Sequence, residues 1–241
     1  MRFRSGTDIG LKREENQDAV RCEYFGHNVL AVVCDGMGGE RAGKEASTLA
    51  TEEFFQRFSA GYSENLSDEE IRKLLVTSVS AANTVIYTRA RLDFKNFGMG
   101  TTCVAAFVNP KSAFIVNVGD SRAYLIADNG LHQITTDHNV PSLLLEQGKI
   151  TEAEAEVHPQ KHMLVRAVGV EKTVQPDTFI LDYEDKISLL LCSDGLSGYC
   201  SDDEIYDVIA GAPFDSVTEE LINLALSKGG RDNVTVAVIS D

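Results

Sequence analysis

The sequence is short of positive charge and of long apolar runs. Its 22 lysine and arginine residues face 37 aspartate and glutamate residues, which gives a formal net charge of −15. This balance disfavours binding to nucleic acids and to anionic membranes, because both attract basic surfaces. No apolar run approaches the length of a membrane span, and the N-terminus shows no apolar signal region. We therefore expect a cytoplasmic protein that binds neither nucleic acid nor membrane.

The cysteine pattern excludes a disulfide framework. The five cysteines are odd in number and include no CxxC pair. Cys34, Cys103 and Cys192 lie inside apolar runs, where cysteine acts as a small core residue. These features favour a reducing compartment.

Internal repeats, low-complexity tracts and Pro/Ser-rich linkers are also missing, so we expect a single domain over residues 1–241. Alternating and β-branched patterns predict strands, and helical spacing predicts two long helices. The predicted strands lie near 20–35, 98–109, 112–127, 187–193 and 233–240, and the predicted helices cover about 42–58 and 68–92. Ser67 and Glu70 stand at capping-box spacing at the start of the second helix.

The order of these elements lacks strict βαβ alternation, which favours an α+β fold of helices packed on antiparallel sheets. Residues 138–170 contain few strand signals. They are expected to form a small subdomain over the edge of the core.

Several predicted strands meet an aspartate at one end. Asp35, Asp120 and Asp194 each follow an apolar run, and Asp232 precedes one. If these strands lie side by side, the carboxylates converge and repel one another unless a cation neutralises them. Each aspartate alone also fits an ordinary turn. Together they indicate a site for hard metal ions that prefer oxygen ligands.

A charged N-terminal stretch places Arg13 five residues before Asp18. On its own this stretch is typical of a solvated loop. If Asp18 joins the aspartate group, Arg13 lies within reach of it, and a guanidinium suits a phosphate that bridges to the cations. A near match to the P-loop pattern over 38–45 has Glu45 where Ser or Thr is required, which disfavours a nucleotide hydrolase.

Six sequence pieces occur in one order along nearly the whole chain. They are Gly10–Arg13 with Asn16–Asp18, Asp35–Gly39, Gly98–Thr102, Gly119–Arg122, Ser193–Gly195 and Asp232–Thr235. Each piece is weak alone, but the ordered set resembles the metal-dependent Ser/Thr protein phosphatases (the PPM family, type 2C) in their compact bacterial form.

The resemblance implies a central β-sandwich of two antiparallel sheets flanked by helices, with the metal site at one end. It implies that Asp35, Asp194 and Asp232 hold a binuclear Mn²⁺ or Mg²⁺ centre, helped by the carbonyl of Gly36. Asp18 would support this centre through bound water.

The resemblance also assigns roles around that centre. Asp120 is expected to bind a third, weaker metal ion that it shares with Asp194. Arg13 is expected to bind the substrate phosphate and to act with Asp35, Asp194 and Asp232 as the catalytic set. Residues 138–170 correspond to a flap subdomain near the substrate entrance.

The implied reaction is hydrolysis of phosphoserine and phosphothreonine in proteins by direct attack of a water or hydroxide activated at the binuclear centre. Two bridging cations can both generate this nucleophile and orient the phosphate, so no phosphoenzyme is expected. The expected partners are phosphorylated proteins and an opposing Ser/Thr kinase, and the chain is expected to be a monomer.

Two departures from the family pattern bear on the chemistry. Many eukaryotic relatives carry a histidine after the Asp-Gly pair that is proposed to protonate the leaving alkoxide, whereas this chain has Met37. Metal-bound water or a flap histidine such as His162 could take that role, and the sequence leaves both open. Gln17 stands where some relatives carry a glutamate.

Two other functions remain open from the sequence. The natural substrate could be a small phosphomonoester, or the chain could be a metal-binding module that recognises a partner without turnover. Every core aspartate is present, which favours an enzyme.

Overall fold

The structure is a computed structural model that describes residues 1–38, 42–93, 96, 98–184 and 186–241. Gly39 of the second matched motif and residues 39–41 of the near P-loop lie outside these ranges. Within them, the strands are β1 (Arg2–Asp8), β2 (Asp18–Phe25), β3 (Asn28–Met37), β4 (Gly100–Thr101), β5 (Cys103–Val108), β6 (Ser112–Val118), β7 (Arg122–Ala127), β8 (Gly130–Gln133), β9 (Asp177–Asp182), β10 (Ser188–Cys192) and β11 (Val234–Ser240). The helices are α1 (Ala42–Gly61), α2 (Asp68–Leu92), α3 (Val140–Glu146), α4 (Glu152–Glu156), α5 (Asp194–Ser197), α6 (Asp202–Gly211) and α7 (Val217–Ser227).

The strands form two antiparallel sheets. The first sheet has the order β1-β11-β10-β7-β8, and the second has the order β2-β3-β5-β6-β9, with β4 paired to β3. Helices α1 and α2 pack on the second sheet, while α6 and α7 pack on the first. The predicted α+β fold, a sandwich of two antiparallel sheets flanked by helices, is confirmed.

The environment of strand β3 explains why its sequence contains an unbroken apolar run. Side chains alternate between the two faces of a strand. Leu30, Val32 and Cys34 pack with the α1 and α2 side chains, whereas Val29 and Val33 pack against the opposite sheet. Both faces of β3 are therefore buried in apolar surroundings, which favours an unbroken apolar run over an alternating one.

Helices α1 and α2 cover the second sheet, and each has a local feature that stabilises it there. Ser67 caps α2, its hydroxyl accepts from the Glu70 N–H, and the Glu70 side chain returns to the Ser67 backbone, as predicted from the capping-box spacing. Phe54 and Phe58 of α1 are fully buried against the sheet. Among the described residues, none of the helices is both long enough and apolar enough to cross a membrane.

Three strands were not predicted. Strand β1 carries mostly polar residues, and its exposed and half-buried positions alternate. Strand β8 is only four residues long, and β9 contains both Asp177 and Asp182. All three strands lie at sheet edges, where half-exposed positions weaken the apolar pattern.

We expect Phe58→Ala to destabilise the protein by about 3–5 kcal/mol, because it removes a fully buried ring from the core. The Phe58 ring lies 5.2 Å from the Phe25 ring and 5.2 Å from the Phe107 ring, centroid to centroid. Urea unfolding measures the change. The control Arg57→Ala alters an exposed neighbour on the same helix and should cost less than about 0.5 kcal/mol. Equal losses in the two variants would contradict this account of the core.

Candidate active site

One end of the sandwich collects acidic residues from both sheets. Asp18 begins β2 and lies directly opposite Asp35 in β3. Asp120 lies in the turn between β6 and β7, Asp194 follows β10 as the first residue of α5, and Asp232 lies two residues before β11. Because neighbouring strands run antiparallel, the end of one strand lies beside the start of the next, and these aspartates meet at one end of the sandwich, as the sequence predicted.

These carboxylates lie close enough to change one another's protonation. Burial, followed by the charges of the other four aspartates, raises the pKa of Asp35 well above its usual range. Burial and nearby carboxylates raise the pKa of Asp18 to about 7 and that of Asp120 to about 7. Like charges held together disfavour ionisation in this way. The group is therefore electrostatically strained unless positive charge is brought to it.

The backbone of Asp35 is fixed by two threonines of the Gly98–Thr102 motif. The Asp35 N–H donates to Thr102 Oγ1 at 2.8 Å, and the Thr102 N–H donates to the Asp35 carbonyl at 2.8 Å. The Thr101 hydroxyl donates to the same carbonyl at 2.8 Å. Thr102 Oγ1 also lies 2.6 Å from Ser121 Oγ, next to Asp120. Thr102 thus links the positions of two of the acidic residues.

Asp18 is fixed by hydroxyls from the other sheet. The Ser193 hydroxyl donates to Asp18 Oδ2 at 2.7 Å, and Ser193 Oγ accepts from the Thr235 N–H at 3.0 Å. Hydrogen bonds from Ser193 and Thr235 oppose the rise in the Asp18 pKa. These contacts join Ser193, next to Asp194, and Thr235 of β11 to the start of β2, so the two sheets are linked at this end.

Gly36 lies where β3 passes the start of α1. A Cβ atom at Gly36 would lie 2.0 Å from the Gly43 carbonyl oxygen and 2.7 Å from the Gln17 carbonyl oxygen. Only glycine permits such an approach. Close packing therefore requires glycine after Asp35, whatever role the Gly36 carbonyl has.

The loop that carries Arg13 is tethered to Asn233. The Asn233 side chain donates to the carbonyls of Ile9 and Glu15 at 2.9 and 3.1 Å and accepts from the Gln17 N–H at 2.8 Å. Arg13 Nη2 then donates to Asp232 Oδ2 at 2.7 Å while about half of the Arg13 side chain stays exposed. The predicted phosphate-binding arginine therefore lies beside the aspartates.

Of the histidines in 138–170, His162 faces the aspartates. Its Nδ1 lies 3.3 Å from Asp194 Oδ2, and this hydrogen bond raises the pKa of His162 against the opposing effect of burial. His138 is engaged elsewhere, because its Nδ1 accepts from the Gly119 N–H and its Nε2 lies 3.0 Å from Asp177 Oδ2. Burial lowers the pKa of His138.

A cavity of about 910 Å³ opens at this end of the sandwich. Almost all the site residues predicted from the sequence line it, namely Arg13, Asp35, Gly36, Asp120, Asp194 and Asp232. Met37, His162 and Tyr199 line it as well. Asp18 does not line the cavity but is buried beside it, against Ser193.

The chemistry of the donor atoms fits a hard divalent cation. In the ranges that the structure describes, no three carboxylate, imidazole or thiol side chains are arranged as the ligands of one ion. Magnesium and manganese also take carbonyl and water oxygens, so three side chains per ion are not required. Asp18 Oδ1 and Asp194 Oδ1 are buried without a hydrogen-bond partner. Such oxygens are costly unless a cation or donor meets them.

Four residues at this end have roles that the sequence reasoning did not assign. Thr102, Ser193 and Asn233 lie within the matched motifs, but their hydrogen bonds to distant residues could not be read from those motifs. Tyr199 lines the cavity without belonging to any motif. Tyr199 stands four residues after Gly195, where the Ser193–Gly195 piece ends, and this proximity is the sequence signal that could have suggested it.

The comparisons with known proteins agree over nearly the whole chain. The family model described as Protein phosphatase 2C matches residues 9–235. The serine/threonine phosphatase Stp of Listeria welshimeri is 38% identical over 240 residues, which cover 97% of this chain and 93% of that protein. The protein phosphatase PhpP of Streptococcus pneumoniae is 35% identical over 241 residues, which cover 97% and 95% of the two chains.

Solved structures share the same fold. The serine/threonine phosphatase Stp1 from Staphylococcus aureus has a TM-score of 0.91 at 38% identity, covering 98% of this chain and 93% of that chain. The catalytic domain of the phosphatase PstP, solved in complex with two manganese ions, has a TM-score of 0.84 at 34% identity, covering 100% of this chain and 97% of that chain.

We expect Asp35→Asn to stabilise the metal-free protein at about pH 8. The folded-state pKa of Asp35 lies above that of an unfolded aspartate, so its ionisation costs folding free energy as the pH rises above about 4. Asparagine carries no such charge. In excess chelator the variant should melt a few degrees higher than the wild type, and the difference should vanish near pH 4.

The matched control is Asp207→Asn, which removes an exposed carboxylate from α6. It should leave the melting temperature nearly unchanged. A lower melting temperature for Asp35→Asn than for wild type in chelator would contradict the proposed repulsion.

Proposed function

This chain belongs to the protein phosphatase 2C family, and on that premise we propose that it hydrolyses phosphoserine and phosphothreonine in proteins by direct attack of water at phosphorus. It is a metal-dependent serine/threonine protein phosphatase. The observation that carries the mechanism is the convergence of Asp35, Asp194 and Asp232 with Arg13 on one cavity. A phosphate dianion needs its charge neutralised before a nucleophile can approach it in line, and this cavity offers groups for that purpose.

The metal-binding set that we propose is Asp35, Asp194 and Asp232 with the Gly36 carbonyl, for two Mn²⁺ or Mg²⁺ ions. When bound, such cations would lower the pKa of a bound water and neutralise the charge of the phosphate. The unpaired, buried Asp194 Oδ1 supports this assignment. So does the raised pKa of Asp35, because a neighbouring positive charge would stabilise the ionised form of that carboxyl.

Two further aspartates have supporting roles in the proposal. Asp18 is held by Ser193 away from the cavity lining, which suits contact with the centre through water. Asp120 lines the cavity and interacts electrostatically with Asp194, which suits a weaker third ion shared by these two residues. In this proposal, both residues therefore support the metal centre without belonging to its main ligand set.

Arg13 is proposed to bind the substrate phosphate. Its guanidinium pairs with Asp232 by one nitrogen and is half exposed on the cavity wall. Further N–H groups of the guanidinium therefore remain for phosphate oxygens, which a guanidinium can bind in pairs. The Asn233 tether fixes the loop that presents it.

We propose that the chain forms one catalytic domain over 1–241 and that residues 138–170, the flap segment, border the substrate entrance. Two contacts close the base of this segment: the Val140 N–H donates to the Met163 carbonyl, and the Val165 N–H donates to the His138 carbonyl. His162 and Met163 then reach the active-site cavity.

His162 is the proposed general acid. Met37 lines the cavity but has no proton to donate. His162 lines the same cavity, its ring nitrogens can carry a proton, and its Nδ1 lies 3.3 Å from Asp194 Oδ2. It can therefore give a proton to the serine or threonine oxygen as the bond to phosphorus breaks.

The remaining expectations concern the cellular setting. We propose phosphorylated proteins as substrates, a Ser/Thr kinase that opposes the enzyme, a monomeric state and a cytoplasmic location. Oxygen-only donors support manganese or magnesium over zinc as the bound metal.

We expect Asp194→Ala to lower kcat for a phosphothreonine peptide by more than about a thousandfold, because it removes a ligand of the reaction centre. Wild-type activity should require added Mn²⁺ or Mg²⁺ and should disappear in excess chelator. Phosphate release measures both effects. The control Asp207→Asn should keep wild-type activity. Activity that survives the chelator or Asp194→Ala would overturn the proposed mechanism.

We expect His162→Gln to lower kcat for the phosphopeptide by about a hundredfold. The decline of wild-type kcat as the pH rises through the His162 pKa should be absent from the variant. Hydrolysis of p-nitrophenyl phosphate, whose leaving group needs no proton, should change much less.

His158→Gln is the matched control, because His158 belongs to the flap segment but does not line the cavity. It should retain the wild-type pH profile. If His162→Gln keeps wild-type kcat and pH dependence with the phosphopeptide, a water molecule must supply the proton.

A further inference from the structure

A second cavity of about 810 Å³ continues from the active site along the flap segment. Asp120, His162 and Asp194 line both cavities, so the two spaces meet at the reaction centre. Residues of α3 and α4 form one wall, and residues of α5 and the start of α6 form the other. We call this second cavity the flap groove.

Both walls of the flap groove carry carboxylates that have no cationic partner. Glu152 and Glu156 extend from α4, and Asp202 and Asp203 extend from α6. All four are exposed, and within the described ranges no lysine, arginine or histidine forms an ion pair with them. The negative charges therefore face the groove from both sides without local neutralisation.

The basic residues that line the flap groove offset little of this charge. Arg122 donates to both Asp137 carboxylate oxygens, so this pair is already neutral. Lys161 is the other lysine or arginine that lines the groove. The active-site cavity, in contrast, is lined by Lys12, Arg13 and Arg231. Of the five lysine and arginine residues that line the two cavities, three therefore lie outside the flap groove, and Arg122 inside it is paired with Asp137.

A buried carboxylate also opens into the groove. Asp120 is only 8% exposed, and it lines the flap groove as well as the active site. No cationic side chain of the described residues lies within ion-pair distance of it. Beside the third metal ion proposed for Asp120, a positive side chain in the groove would further stabilise this carboxylate.

The groove also offers apolar surface beside its charges. Pro141, Leu145 and Ala155 line it. Lysine and arginine bury their methylene stems on apolar surface while their charged ends stay with polar groups. The combination of an apolar wall and unpaired carboxylates therefore matches these two side chains better than a small inorganic cation.

We propose that the flap groove is a binding subsite for lysine or arginine side chains that flank the phosphorylated residue of the protein substrate. This inference rests on the proposed function. An extended peptide advances about 3.3–3.6 Å per residue, so residues next to the phosphoresidue reach the groove from the shared wall at Asp194. A volume of about 810 Å³ is ample for one or two such side chains.

The experiment compares phosphothreonine peptides of equal length. One carries lysine and arginine N-terminal to the phosphoresidue, the second carries them C-terminal, and the third has glutamine at all those positions. We expect the wild type with Mn²⁺ to favour one of the basic peptides over the glutamine peptide by about tenfold in kcat/KM, mainly through KM. The preference should shrink as salt is added, because screening weakens the attraction.

Charge removal in the groove tests the assignment. The variant Glu152→Gln with Glu156→Gln, and separately Asp202→Asn with Asp203→Asn, should each reduce the preference. The matched controls Glu146→Gln on α3 and Asp207→Asn on α6 remove exposed carboxylates that do not line the groove. They should keep the wild-type preference. Thermal unfolding of each variant checks that it is folded, and the salt dependence of the wild type needs no variant.

The outcomes separate this inference from the proposed function. Hydrolysis of all three peptides at equal kcat/KM would overturn the subsite and leave the phosphatase activity intact. A basic preference that persists in folded groove variants would also overturn it, because the attraction would then arise elsewhere. Failure to hydrolyse any of the peptides would overturn the proposed function and the subsite with it.

Discussion

The repulsion among five carboxylates at one end of the sandwich is the constraint on which the rest of the structure depends. Left free, such groups would separate or take up protons. Here Thr102 fixes the backbone of Asp35, and Ser193 fixes the side chain of Asp18. The hydroxyl of Ser193 also meets the Thr235 N–H of the neighbouring strand. These contacts hold the carboxylates together at a cost in local stability, which a bound cation would relieve.

The layered core makes this instability tolerable. Apolar clusters fill the space between the sheets and between each sheet and its helices. Strand β3 contributes to two of these clusters and carries Asp35 near its end, so a strand that is buried on both faces presents a carboxyl whose pKa is raised well above its usual range. A rigid support of this kind lets a site keep an unfavourable charge arrangement.

The features that could be predicted from the sequence are those with a local sequence pattern. The apolar run of β3 and the capping box at Ser67 each have a signature within a few residues, and the aspartates stand out because strands end at them. Strands β1, β8 and β9 were missed because polar residues or short length weaken their pattern. The Asn233 tether links residues more than two hundred positions apart. No local pattern encodes such a contact, and the facing walls of the flap groove are equally non-local.

The position of β11 in its sheet affects how the enzyme folds during synthesis. This strand follows every other described element in the chain, yet it lies between β1 and β10 inside its sheet. A nascent chain that has not yet released β11 from the ribosome leaves the facing edges of β1 and β10 open and lacks both Asp232 and the Asn233 tether. On the proposed mechanism, a chain without β11 in place therefore has an incomplete sheet and no phosphatase activity.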